Sequence, residues 1–203
     1  MREIEGLCGR AQYDRCVPLT QLETTSALIL IDLQKGIVGS VRPAVDEVVA
    51  NAAALAEAFR AHGRMVVLVN VAGGAPGRTD AQAAGGARPS MPDGFADLIP
   101  ELGSAPDDIV VTKHRWGAFT GSDLDEQLRA RGVTQVVLGG VSTSVGVETT
   151  ARSAYELGYH VVLATDAMLD RDPVCHEHTI ARVFPKLGET STTEEIWAAL
   201  NAG

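Results

Sequence analysis

The chain has 203 residues, 45% of them hydrophobic and 21% charged, enough for one domain around a single sizeable core. Its formal net charge of −9 opposes binding to a phosphate backbone, so nucleic acid is excluded as a natural partner. The 3 cysteines, Cys8, Cys16 and Cys175, form no CxxC pair, which argues against both a disulfide scaffold and a structural zinc site.

Residues 1–25 mix Arg2, Glu3, Glu5, Arg10, Asp14 and Arg15 with isolated apolar residues and read as an N-terminal extension without the apolar core of an export signal. The domain proper is expected over 26–203. No apolar run approaches the roughly 20 residues that a membrane-spanning helix needs, so a cytoplasmic protein without a membrane partner is expected.

Within the domain, short apolar runs rich in β-branched residues predict strands at 27–32, 65–71, 108–113, 135–139 and 160–165, with a shorter one at 188–191. Stretches of helical character lie between them. Pro43 opens one that reaches about residue 61 and Gly63 closes it. A second starts at Ser122, which can cap it, and stops at Gly132; a third covers about 145–157 and ends at Gly158. Two more are read at 175–185 and 193–202. The stretch 72–94, rich in Gly, Pro and Ala, has no sustained period and reads as a long loop, either a functional lid or a surface excursion. Apolar runs alternating with helices predict a parallel sheet covered on both faces.

Ligands of such sheets gather at the carboxyl ends of the strands. Asp32 ends the first strand, Lys113 ends the third, and Gly139-Gly140-Val141-Ser142-Thr143-Ser144-Val145-Gly146 turns the fourth into a helix. Each has a structural alternative: Asp32 as a cap, Lys113 as a surface strand end, Gly-Gly as an aid to tight packing. No G-x-G-x-x-G follows the first strand, which removes a dinucleotide-binding reading.

Taken together, Ile31-Asp32-Leu33-Gln34, Thr112-Lys113-His114-Arg115-Trp116-Gly117-Ala118-Phe119 and Gly140 through Ala151 resemble the isochorismatase-like hydrolase superfamily over about residues 26 to 192. The resemblance implies a single three-layer α/β/α domain with a mostly parallel six-stranded sheet. It also implies a site of Asp, Lys and usually Cys, which fall on Asp32, Lys113 and Gly146. A glycine removes the thiol nucleophile. Cys175 is read as a small buried thiol rather than a displaced nucleophile.

Isochorismatases, which release pyruvate from a vinyl ether, are similar in lacking the Cys. That reaction needs a general acid, and Asp32 is the obvious donor. The Lys113 ammonium favours ionised Asp32, so desolvation by a bound anionic substrate is expected to offset it. Backbone amides near Gly146 and Val147 are expected to donate to an anionic oxygen, and the Val141-Ser142 peptide bond is expected to be cis, as is typical of the family.

The substrate-binding candidates are Gln34, Arg88, Trp116, Phe119, Ser142 and Thr143, with Arg88 placed for a substrate carboxylate and Gln82 a weaker candidate. Ser142 and Ser144 stand where the family's isochorismatases tend to carry Tyr and His. The nicotinamidase branch's metal cluster has no counterpart in Val69-Asn70-Val71-Ala72-Gly73-Gly74, so neither metal nor cofactor is expected. The expected partners are a small anionic substrate and a second copy of the chain, as a homodimer or larger homo-oligomer using the apolar helix at 45–61. The competing readings are a non-catalytic member that binds a small molecule or a protein, and an amidohydrolase whose Cys has been replaced.

Overall fold

The computed structural model describes residues 19–42, 44–80 and 91–202. Six parallel strands form one sheet: β1 (Ser26–Ile31), β2 (Met65–Val71), β3 (Ile109–Lys113), β4 (Gln135–Val141), β5 (His160–Leu169) and β6 (Glu189–Ser191), in the order β3-β2-β1-β4-β5-β6. The order reverses between β1 and β4, so their carboxyl ends flank the crevice where ligands of open α/β sheets sit.

Alternate residues of each strand feed two cores. Leu28, Leu30, Val66, Leu68, Val137 and Val162 pack under α2 (Asp46–Ala61), joined by Ile196 and Leu200 of the C-terminal helix Thr193–Ala202. Ile29, Ile31, Val67, Val69, Ile109, Val111 and Leu138 meet the helices Leu124–Ala130 and Glu148–Glu156 on the other face. Below, α1 is Lys35–Val38, α3 is Leu124–Ala130, α4 is Glu148–Glu156, α5 is Pro173–His178 and α6 is Thr193–Ala202. The three-layer α/β/α class follows, with every strand parallel rather than most of them. Helix α2 spends Val48, Val49, Ala52, Leu55, Ala56 and Phe59 on the core, so the stripe expected to serve association is already buried inside the domain.

Local signals account for most boundaries. Gly63, Gly132 and Gly158 all have positive φ just past helix ends, as expected of closing glycines. The Ser122 hydroxyl accepts from Leu124 N at 3.4 Å at the start of α3. Helix α2 starts at Asp46, three residues beyond the expected Pro43, which lies outside the described residues. The segment expected as one helix over 175–185 divides into α5, a π turn at Thr179–Val183 and a 3₁₀ turn at Phe184–Lys186 that contains Pro185. Strand β5 extends four residues past the expected end at 165. The polar Thr165 and Asp166 interrupt its apolar run, yet Asp166 accepts from Thr193 N at the start of α6 and Ala167 and Met168 return to the core. Residues 19–25 belong to the fold: Glu23 N donates to Gln135 Oε1 and Gln135 Nε2 donates to Gln21 O.

One glycine explains how the crevice closes. A Cβ on Gly140, whose φ is 121°, would lie 2.0 Å from the Ile31 carbonyl oxygen. Only glycine lets the end of β4 run this close to the end of β1. No helix among the described residues is long and apolar enough to cross a membrane.

Candidate active site

Asp32 follows β1 directly with a φ of 53°, an unusual conformation for a residue with a side chain. Its N–H donates to Val69 O at 2.8 Å and its carbonyl accepts from Gln34 N at 2.9 Å, so both sides of the peptide are pinned. Lys113 ends β3 on the same face as the buried Ile109 and Val111, and its long side chain crosses the end of β2. There Nζ donates to Asp32 Oδ2 and to the Trp116 carbonyl, both at 2.8 Å. Asp32 is 7% and Lys113 2% exposed, while the second carboxylate oxygen, Asp32 Oδ1, is buried with no hydrogen-bond partner among the described residues.

These contacts set the acidity of Asp32. Burial raises its pKa to about 6, against the opposing pull of the Lys113 charge and hydrogen bond. Burial therefore outweighs the ammonium without any bound ligand. The carboxyl group is poised to hold or release a proton near neutral pH.

The Val141–Ser142 peptide bond is cis, as expected, and a π turn at Thr143–Val147 leads into α4. Gly146 in this turn is buried. A Cβ there would sit 3.3 Å from Asp32 Oδ2, 3.5 Å from Lys113 Nζ and 3.0 Å from Ile31 Cγ2. Position 146 thus faces the buried ion pair and brings no side chain to it. The turn is tied down from behind, since Thr150 Oγ1 donates to Gly146 O at 2.7 Å and accepts from Ala118 N at 3.1 Å. The amide expected to serve a ligand at Val147 instead donates to Ser142 O, and the Ser144 amide donates to Asp170 Oδ2.

The remaining candidates separate by what they touch. Gln34 is fully buried and donates to Val71 O and Phe95 O while accepting from Val71 N, so its amide braces the wall of the site and is not free for substrate. Phe119 stacks on Tyr159 at 6.0 Å and packs against the core, which is a structural role. Trp116 holds Lys113 through its carbonyl, while its side chain is 59% exposed and forms no buried wall. Ser142 sits on the cis bond and accepts from Val145 N and Val147 N. Thr143 is fully buried with Oγ1 2.8 Å from His176 Nδ1. Arg88 and Gln82 lie outside the described residues.

Two residues beside the site escaped the sequence reading. Asp170 follows the true end of β5 and accepts from both the amide and the hydroxyl of Ser144, each at 2.7 Å. Burial works against its charge, yet these bonds and those from the Asp172 and Arg171 amides hold its pKa below the usual carboxylate value. His176 joins Thr143 from α5. The signal for Asp170 is position, a carboxylate at a strand end, concealed by the polar residues inside β5. Cys175, expected to be buried, is exposed on the first turn of α5, where its hydrogen bond to Asp172 raises its pKa and keeps it a thiol. Among the described residues, no group of three or more His, Cys, Asp or Glu side chains gathers to ligate a metal.

The Isochorismatase domain model matches residues 26–195. The chain belongs to the isochorismatase family. It is 46% identical over 175 residues to the uncharacterized isochorismatase family protein YwoC of Bacillus subtilis (strain 168), covering 84% of this chain and 91% of that protein. It is 34% identical over 178 residues to the ureidoacrylate amidohydrolase RutB of Variovorax paradoxus (strain S110), covering 74% of this chain and 71% of RutB. A solved isochorismatase family protein from Burkholderia thailandensis superposes with a TM-score of 0.82 at 42% identity, over 91% of this chain and 99% of that one. Hydrolysis is the chemistry of family members such as RutB.

Proposed function

We propose that this isochorismatase-family hydrolase works without a side-chain nucleophile, on a small anionic substrate, with Asp32 moving the proton and water making the attack. The observation that carries the reading is the buried Asp32–Lys113 pair facing residue 146, a glycine, with Asp32 poised near pH 6.

A vinyl ether fits this equipment. Protonated Asp32 gives its proton to the terminal enol carbon, and the ether oxygen supports the oxocarbenium centre that forms. Water adds to that centre and loses a proton, and the resulting hemiketal collapses to a ketone and an alcohol. For a pyruvyl enol ether the ketone is pyruvate. Lys113 holds Asp32 in place and, once the proton has left, stabilises the carboxylate. Arg88 is the candidate for a substrate carboxylate, and Ser142 for a polar contact.

The test is pyruvate release from isochorismate, coupled to lactate dehydrogenase, for the native chain and Asp32→Asn. Release that falls by about 10²–10⁴ in the variant supports the reading. No release from the native chain removes this substrate and favours a ligand-binding role, to be pursued by thermal-shift screening. A second reading, direct attack of water on a small amide or ureide, is favoured by the similarity to RutB. Ammonia release from ureidoacrylate without pyruvate release from isochorismate would select it.

A further inference from the structure

A cavity of about 810 Å³ lies at the amino ends of β1, β2 and β3, the opposite end of the sheet from Asp32 and Lys113. The first residues of the three strands line it together with the last turns of α2 and α3, and it opens to solvent. Three arginines and two aspartates stand in its wall, a net positive charge in a chain that carries −9 overall. Helix carboxyl ends present carbonyl groups, so the positive charge here comes from side chains.

Those side chains are engaged unequally. Arg60 and Asp108 neutralise one another, and both oxygens of Asp108 are taken. Arg64 is half-buried and meets no carboxylate among the described residues; its Nη1 donates to Glu23 O and to Ser26 Oγ, and its Nε and Nη2 have no partner there. Burial pulls its pKa below the ordinary arginine value, the mark of a cation left without a counter-charge. Arg131 is exposed, bonds the Gln127 carbonyl one turn back and likewise meets no carboxylate among the described residues. The remaining acid of the wall is the exposed Asp107. Val110, 56% exposed on the edge strand, adds apolar surface to the same wall.

We propose that this cavity is a second binding site, for a small organic phosphate, with the phosphoryl group on Arg64 and Arg131 and the organic part against Val110. Buried cations are normally paired, and the spare N–H groups of Arg64 supply the fork that phosphoryl oxygens accept from. A phosphate monoester carries close to two negative charges at neutral pH, so one phosphoryl group answers both guanidiniums where one carboxylate would answer a single one. Ligand pockets commonly hold about 300–1,000 Å³, which suits one small molecule here. The net charge of −9 disfavours an extended polyanion. The hydrolytic reading uses none of these residues, so either can fail while the other stands.

Titration calorimetry of the full chain with phenyl phosphate, at neutral pH and constant ionic strength, tests the site. The expected result is saturable binding of one phenyl phosphate per chain with a Kd on the order of 1 mM. Arg64→Gln and Arg131→Gln are each expected to weaken it about tenfold or more, and Lys35→Ala and Asp32→Asn to leave it unchanged. Arg64 also holds the entry to β1, whereas Arg131 bonds its own helix, so Arg131→Gln separates loss of the ligand from loss of the fold. Inorganic phosphate should bind several-fold more weakly, since Val110 then gains no contact. Three results would overturn the proposal: no saturable heat up to about 10 mM phenyl phosphate, a Kd unchanged in Arg131→Gln, or binding lost in Asp32→Asn, which would put the anion at the other end of the sheet. Inorganic phosphate binding as tightly as phenyl phosphate would overturn the organic half of it.

Discussion

Strand β3 has an ion pair at each end, partly buried at the first and buried at the second, and the two are built differently. At its N-terminal end Asp108 takes a two-pronged contact from Arg60, Nε to Oδ1 at 3.1 Å and Nη2 to Oδ2 at 2.8 Å. Asp108 also accepts from Ala105 N, and Arg60 donates to Leu102 O. Every oxygen of that carboxylate is satisfied. At the C-terminal end Lys113 meets Asp32 through one oxygen, and the other has no partner among the described residues. The first pair holds loops to the sheet, and the second keeps bonding capacity in reserve where the strand order reverses. A buried polar atom without a partner costs about 1–3 kcal/mol, and a site that retains it points to chemistry rather than to stability.

Substitutions can break this contrast, beginning with the most severe. Lys113→Met leaves Asp32 buried without its cation and is expected to cost about 3–5 kcal/mol in denaturant unfolding. It should also move the Asp32 titration upward, since the two contributions that lower it are gone.

The pH dependence of stability comes next. Folding raises the pKa of Asp32 from 3.8 to about 6, so the folded chain holds a proton that the unfolded chain has released. Its contribution is therefore fully present below about pH 4, is lost as pH rises to about 6, and stays constant above. Native stability should decline over that window by about 3 kcal/mol at most relative to Asp32→Asn, as read from urea midpoints at a series of pH values.

Arg60→Met is expected to cost about 1–3 kcal/mol at the other end of β3 and to leave turnover unchanged. A loss of activity in this variant would erase the division of labour between the two pairs. The smallest effect belongs to Lys35→Ala, which removes a pair with both side chains more than half exposed. Thermal unfolding should register less than about 1 kcal/mol.

Much of this arrangement was legible in the sequence because its causes are local or periodic. Apolar runs marked β1 to β4 and the first half of β5, and two charged residues at strand ends marked the pair. What stayed hidden depends on distant partners. Gln34 follows Asp32 closely and looked available for a ligand, but its amide is consumed by backbone groups of Val71 and Phe95, far along the chain. Phe119 follows Lys113 as an aromatic wall should, yet its ring finds Tyr159. Asp170 was missed because polar residues within β5 gave a false strand end. The pKa of Asp32 could not be settled from residue types, since the ammonium and burial oppose each other and only the degree of burial decides between them.

The most direct test of the central claim is a carbon-13 titration of the Asp32 side-chain carboxyl, assigned by the signal lost in Asp32→Asn. The account predicts a midpoint of about 6 in the ligand-free chain. A midpoint near 4 or below would show that Lys113 outweighs burial, and would remove Asp32 as the group that holds the proton.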